Sequence, residues 1–208
     1  MPTLNDKQIR ELLAGGDLVI TPLVEDNIQP GSIDLTLGHL IDEPAGAQRI
    51  DLAQKADRSS LCRQVDLAKL PQGYCLRPGQ MVIGHSREEI RLPQNVNGLI
   101  ANRNSLVYAG VNAALTQYIN PGFHGNKIIA IANIGPHDLI LRPGIRICTL
   151  LLFKMSGNSE RSYDRRHAVD DFHNSDKLQK LFAETQSHLD TSLSDYMNRR
   201  IKEVAKEL

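Results

Sequence analysis

The sequence predicts a mainly β protein, a distorted barrel or jelly roll, with a short N-terminal helix and a C-terminal helical extension. Three observations predict it. Short runs of Ile, Val and Leu recur along the chain, punctuated by Gly and Pro, as many short strands joined by tight turns would require. The tetrapeptide Leu-Arg-Pro-Gly occurs at 76–79 and again at 141–144, each time ahead of an apolar run. From Asp176 onward the apolar residues recur at steps of three and four instead of two, which is helical spacing.

Asn5 or Asp6 can cap a short helix that places Ile9, Leu12 and Leu13 on one face, and Gly15-Gly16 stops it. Leu18-Val19-Ile20 reads as a brief strand closed by Pro22. A Pro30-Gly31 turn then leads into Ser32–Leu37, where Ile33, Leu35 and Leu37 alternate with Ser32, Asp34 and Thr36. That alternation predicts a half-buried strand, with Asp34 either facing solvent or held as a positioned carboxylate. Residues 41–72 are polar and irregular, and read as a long excursion carrying short strands. Pro followed by Gly in each Leu-Arg-Pro-Gly suits the centre of a type II turn, so the two copies read as equivalent hairpin corners.

Asn102-Arg103-Asn104-Ser105-Leu106 and Gln117–Gly125 are the two polar pieces around which the middle of the chain is arranged. Asn120-Pro121-Gly122 is a turn by composition, and the apolar run Ile128–Ala132 that follows makes a hairpin the expected form. Asp138–Phe153 supplies one or two core strands. Leu178, Leu181, Phe182, Leu189, Leu193, Tyr196, Met197, Ile201, Val204 and Leu208 form the helical stripe, with Ser175 as its cap. The expected division is a β domain over 1–172 and an amphipathic extension over 173–208, whose residues 176–208 either pack on the barrel or engage a protein partner.

The chain's 208 residues suffice for one well-buried core. Its 24 basic and 24 acidic residues balance without a block of like charge, so neither a nucleic-acid polymer nor an anionic membrane is an expected partner. No apolar run would span a bilayer and the polar start is not secretory, so a cytoplasmic location is expected. Cys62, Cys75 and Cys148 are read as free, buried thiols in a reducing compartment.

Several chemistries are excluded by the absence of their motifs. There is no phosphate-binding Gly-x-x-x-x-Gly-Lys-Ser/Thr loop, no strand-linked Gly-x-Gly-x-x-Gly and no Gly-x-Ser-x-Gly elbow. None of the seven histidines is followed two residues later by Glu, and no Cys-x-x-Cys exists to hold a deaminase zinc. What remains is a polar site without zinc. Arg103, flanked by Asn104 and Ser105, can grip phosphate oxygens through its guanidinium and the neighbouring amide and hydroxyl donors.

Ile28-Gln29-Pro30-Gly31-Ser32-Ile33-Asp34-Leu35-Thr36-Leu37-Gly38 closely resembles the N-terminal signature of the dCTP deaminases of the dUTPase-like superfamily. Further features follow in the family's order: both Leu-Arg-Pro-Gly copies, Glu89–Pro93, Arg103–Gly110, Ile119–Gly125, Asn133 and Tyr163–Arg166. The resemblance covers roughly residues 4 to 172. It implies a dUTPase-like distorted barrel, a homotrimer with nucleotide sites shared between subunits, and a bound deoxynucleoside triphosphate whose phosphates hold Mg²⁺. It also implies that dCTP is deaminated without zinc, dUTP is hydrolysed, or both. By this resemblance the nucleotide- and phosphate-binding residues are Arg103, Asn104, Ser105, Gln117, Asn120, Phe123 and Tyr163.

The departures lie at the expected chemistry. The position of the family's glutamate, general base and acid for water attack on the cytosine ring, is Ala130. The family's Arg-Ser-Ser-Leu-x-Arg becomes Arg103-Asn104-Ser105-Leu106-Val107-Tyr108, so a serine is Asn104 and the second arginine is Tyr108. The dUTPase-type aspartate is Asn120, and a phosphate-binding lysine falls near Asp170. Asp34, Arg103, Ser105, the Pro121-Gly122 turn and Tyr163 are retained. The expected function is a dCTP deaminase-like protein of pyrimidine deoxynucleotide metabolism with lost or altered catalysis. The alternatives are an active deaminase with rearranged acid–base groups, a non-catalytic regulatory trimer acting through 176–208, and a dUTPase-like hydrolase. The last is disfavoured by Asn120 and by the lack of a Gly-rich C-terminal arm.

Overall fold

The computed structural model describes residues 2–45, 49, 61–160 and 163. The expected helix over 176–208 and the boundary at 172/173 lie outside the described residues. In chain order the elements are α1 (Asp6–Ala14), β1 (Val19–Thr21), β2 (Ile28–Gln29), β3 (Ser32–Pro44), β4 (Cys62–Asp66), β5 (Tyr74–Leu76), β6 (Met81–Arg91), β7 (Val96–Asn102), α2 (Asn104–Val107), β8 (Val111–Asn112), β9 (Tyr118–Ile119), β10 (His124–Asn133), β11 (Leu139–Leu141) and β12 (Arg146–Lys154). No helix among them is long and apolar enough to cross a membrane.

α1 begins where the sequence predicts. Asn5 Oδ1 accepts from Gln8 N at 2.9 Å, and Gln8 Oε1 accepts from Asn5 N at 3.1 Å, a reciprocal capping box. Ile9 is its buried residue and Gly15 its C-cap. The strands form one curled, half-barrel sheet of ten strands in the order β8-β10-β6-β3-β12-β7-β9, with β1 added to β6 and β2 and β4 added to β3. β5 and β11 make a separate two-stranded sheet.

β3 is the seam. Its first half pairs with β2 and β12, and its second half pairs with β6 and β4. The Pro30-Gly31 turn joins β2 to β3 as a tight hairpin, Gln29 opposite Ser32. Where β3 changes partners it must pass close to β6. A side chain on Gly38 would sit 3.1 Å from His85 O, and one on Gly84 would sit 2.6 Å from Leu37 Cδ1. Ile33, Leu35 and Leu37 point into the core, fully buried with Val82, Ile129, Ile131, Ile147 and Leu150. Each such side chain contributes roughly 2 kcal/mol by leaving water.

Five expectations require correction. This part of β3 is not half-buried but covered on both sides, with Asp34 and Thr36 4% and 8% exposed. Of the two placements open to Asp34, the positioned carboxylate is therefore the one found. Residues 41–44 are not irregular, because they continue β3 against β4. Asn120-Pro121-Gly122 is a turn, with Gly122 at φ +73, but not a hairpin turn: β9 before it pairs with β7, whereas β10 after it pairs with β6 and β8. The chain crosses there from edge strand β9 to β10, which lies between β8 and β6. The two Leu-Arg-Pro-Gly turns are not hairpin corners either, since β5 and β11, which precede them, pair with each other and not with β6 and β12, which follow. Leu76 and Leu141 lie at opposite ends of the antiparallel β5–β11 pair, so the repeat is two halves of one local unit. Gly79 and Gly144 adopt φ +77 and +80, as the expected turns demand, and Gln80 N closes the first of them on Arg77 O at 3.0 Å. All three cysteines are free, but only Cys148 is buried; Cys75 is exposed.

Two outcomes follow from this packing. Gly110, at φ +82, lies so close to Gly135 that an added methyl would sit 2.3 Å from its Cα. Backbone cannot swing away as a side-chain tip can, so Gly110→Ala is expected to lower unfolding free energy by more than about 2 kcal/mol. An unchanged denaturation midpoint would contradict it. Burial first, and then the neighbouring Glu88 and Asp34 carboxylates, push the Cys148 thiol up to about 12. The stabilisation from this raised folded-state value is intact below the unfolded value of about 8.5 and is lost as pH rises toward the folded one. Alkylation at pH 8 should therefore modify Cys75 in the native protein and reach Cys148 only after unfolding.

Candidate functional site

The site is assembled from the start of β3, the junction of β7 with α2, and the start of β12. Asp34 stands on β3 beside Thr149, its register partner on β12. Thr149 Oγ1 donates to Asp34 Oδ1 at 2.9 Å, and Arg103 Nη2 lies 3.1 Å from Asp34 Oδ2. Arg103 Nη1 also donates to Arg146 O at 3.3 Å, and Arg146 Nη1 lies 3.8 Å from Asp34 Oδ2. One buried carboxylate is thus met by a hydroxyl and two guanidiniums, the pairing that a charge in this position needs.

Beside it lies a second buried carboxylate. Glu88, 2% exposed, accepts from Thr36 N at 2.9 Å and from Thr36 Oγ1 at 2.5 Å. Ser86 Oγ donates to Glu88 O at 2.6 Å and accepts from Lys127 N at 2.8 Å. Lys127 Nζ donates to Tyr118 O at 3.2 Å, and burial holds its pKa below the ordinary lysine value.

Arg103 caps α2 without a side-chain bond to the helix, which leaves its guanidinium for Asp34. The single turn of α2 is held from behind. Asn102 Oδ1 accepts from Ala113 N at 2.7 Å and its amide reaches Asn112 Oδ1 at 3.4 Å, tying the end of β7 to the segment after β8. Asn104 and Ser105 face solvent from α2, and Tyr108 just beyond it is 94% exposed. Gln117 is exposed, while its carbonyl accepts from Ile100 N at 2.7 Å. Asn120 O accepts from Phe123 N at 3.2 Å across the turn. Phe123 and Tyr163 stack at a 5.5 Å centroid distance, tilted by 55°. Ala130 lies on β10 opposite Ile83 and is 7% exposed.

Of the residues singled out in the sequence, the structure brings Arg103 to Asp34 and Phe123 to Tyr163. Asn104, Ser105, Tyr108 and Gln117 stay at the surface. Thr36, Thr149, Arg146 and Asn102 complete the polar cluster and were not among the expected site residues. Thr149 and Arg146 carried a signal, because each interrupts the apolar run from Ile145 to Phe153. Among the described residues no group of three or more His, Cys, Asp or Glu side chains is placed to hold a metal ion.

The sequence model of a dCTP deaminase-like family matches residues 3–155. The dUMP-forming dCTP deaminase of Methanosphaera stadtmanae is 32% identical over 171 residues, 78% of this chain and 84% of that one. The dUMP-forming dCTP deaminase of a Sulfurihydrogenibium species is 32% identical over 161 residues, 77% and 88% of the two chains. Among solved structures, the 2′-deoxycytidine 5′-triphosphate deaminase from Agrobacterium tumefaciens is similar in fold, with a TM-score of 0.56 at 24% identity. The likeness covers 72% of this chain and 46% of that one.

Removing one partner of the Asp34–Arg103 pair would leave the other charge largely out of water. Asp34→Ala is therefore expected to cost about 3 kcal/mol, and Asp34→Asn, which keeps an acceptor for Thr149, less. Urea unfolding of both variants measures the difference. Equal stability of Asp34→Ala and the unmodified chain would show that the pair is not structural.

Proposed function

The chain belongs to the dCTP deaminase-like family, and from that premise we propose that it binds a pyrimidine deoxynucleoside triphosphate while its deamination chemistry is lost or altered. The observation that carries this reading is the side chain at 130. Hydrolytic deamination needs a group that takes a proton from water and returns it to the ring nitrogen and the leaving amine. Ala130 offers a methyl, and Ile128–Asn133 contains no ionisable side chain. Three carboxylates are buried among the described residues. Asp34 is engaged by Arg103 and Thr149, and Glu88 by Thr36. Asp42 stands on β3 opposite Ile83 of β6, and β6 lies between it and Ala130. Positioned acid–base groups contribute roughly 10²–10⁴-fold to such reactions, so their loss should leave little turnover.

Arg103 and the solvent-facing donors Asn104 and Ser105 would take the phosphates. Gln117, Asn120 and the Phe123–Tyr163 ring pair would face the nucleoside. Mg²⁺, in this reading, is carried by phosphate oxygens. The names of the relatives supply the ligand class, since they act on dCTP and form dUMP. We further propose a homotrimer whose copies complete one another's sites. Val107, Tyr108, Leu115 and Ile134 are large apolar side chains left exposed around α2, and such an assembly would cover them. Sedimentation should give a trimer at micromolar concentration, and a stable monomer would refute that part.

A thermal-shift panel of deoxynucleoside triphosphates, paired with ammonia release from dCTP, tests the central reading. A pyrimidine nucleotide at 100 times its Kd should stabilise the native state by about 2.7 kcal/mol. Ammonia release should be at least ~100-fold below that of a relative with the glutamate. Ala130→Glu alone should not restore it, because Asn104 and Tyr108 replace the partner hydroxyl and guanidinium. Arg103→Ala should abolish the thermal shift. Robust dCTP turnover by the unmodified chain would overturn the reading.

A further inference from the structure

An open cleft, with Arg146 in its lining, lies between the segment after β1, the middle of β3, the end of β6 and the start of β12. Five of its side chains matter: Asn27, Thr36, Arg87, Glu88 and Arg146. The guanidinium of Arg87 has no carboxylate partner among the described residues. Arg146 is 39% exposed in its side chain and has a single distant contact with Asp34, at 3.8 Å, where Arg103 already sits closer. Asn27 is 3% exposed and lines the cleft. The cleft thus presents one guanidinium without a carboxylate and a second that is only distantly paired with Asp34.

The charges in the cleft restrict what could bind. Two guanidiniums and an amide donor favour an oxyanion. Glu88 opposes one that is fully deprotonated. Its two oxygens each accept one bond from Thr36, and a carboxylate has about four lone-pair positions, so it retains capacity to accept another hydrogen bond. An oxyanion that keeps an O–H near neutrality can donate that proton to Glu88 while its other oxygens face Arg87 and Arg146. Phosphate and phosphomonoesters titrate in this range, whereas sulfate carries no proton there.

We propose that this cleft is a binding site for a proton-bearing phosphate group. It shares Arg146, Thr36 and Glu88 with the polar cluster around Asp34, and none of the residues proposed above to bind the nucleotide lines it. The group is either inorganic phosphate or the terminal phosphate of a nucleotide. The site does not depend on any nucleotide being bound next door.

Calorimetric titration of the full chain with sodium phosphate and with sodium sulfate, at matched ionic strength, tests it. Phosphate should bind at least ~10-fold more tightly than sulfate, the equivalent of one charged hydrogen bond gained rather than one repulsion suffered. Arg87→Ala, an exposed substitution, should weaken phosphate by a similar factor. Glu88→Gln should narrow the gap between the two anions to within about threefold. If that buried variant does not fold, the anion ratio of the unmodified chain and the Arg87→Ala result decide the matter. Displacement of phosphate by dCTP, with Arg87→Ala weakening both, identifies a nucleotide's terminal phosphate as the occupant. Phosphate binding that is indifferent to dCTP identifies free phosphate. Equal binding of phosphate and sulfate, or unchanged phosphate binding by Arg87→Ala, overturns the proposal. The phosphate titration needs no nucleotide, so it can succeed where the nucleotide panel fails, and the two readings fall separately.

Discussion

A single buried carboxylate, Asp34, sets the terms for the polar half of this molecule. It lies on the strand where the curled sheet changes partners, at a depth where an unpaired charge costs several kcal/mol. Everything that makes it tolerable comes from elsewhere in the chain. Arg103 arrives from the end of β7, Thr149 from β12, and Arg146 from the turn that opens β12. Satisfying one charge therefore ties three strands together at the same level. Because Arg103 also begins α2, the pair fixes where the surface donors Asn104 and Ser105 are presented.

The backbone around this pair is shaped by close approach. β3 runs for 13 residues and exchanges one set of partners for another near Leu37. Gly38 and Gly84 let the two strands pass where larger residues would meet a carbonyl or a core leucine. The turn after β11 is anchored on the same spot: Gly144 N donates to Leu37 O at 2.7 Å, and Leu37 N donates to Ile145 O at 2.9 Å. The second Leu-Arg-Pro-Gly thus ends on the seam and delivers Arg146 beside Asp34. A local turn signal acquires its meaning from a contact more than a hundred residues away in sequence.

That distance explains what could and could not be read from the residues alone. Turn chemistry was legible: Pro30-Gly31, Pro78-Gly79, Pro121-Gly122 and Pro143-Gly144 all punctuate strands as their φ preferences require. The strand phase of Ile33, Leu35 and Leu37 was legible as well. Partner choice was not. Nothing local to Asn120-Pro121-Gly122 says that β9 turns to β7 while β10 turns to β6. Alternation also cannot separate a solvent face from a buried polar layer. The strand therefore read as half-buried and Asp34 stayed open between two placements, although Asp34 and Thr36 are both covered. The motif residues located Arg103; Thr36, Thr149 and Arg146 emerged only once the strands were paired.

The same energetics bear on the residue at 130. A carboxylate among the buried groups of β10 would need donors to hold its charge, as Asp34 and Glu88 do, or would be forced toward its neutral form. Catalytic sites accept that cost because the strained group performs the chemistry. Once the chemistry is relinquished, nothing in the fold favours keeping the charge, and a small apolar residue packs the strand with no desolvation penalty. The Asp34–Arg103 pair stands in the opposite position, since losing either member leaves the other buried and alone. The two positions are thus under opposite energetic constraints. Asp34 and Arg103 are therefore held by stability whatever the chemistry, whereas an apolar residue at 130 costs the fold nothing.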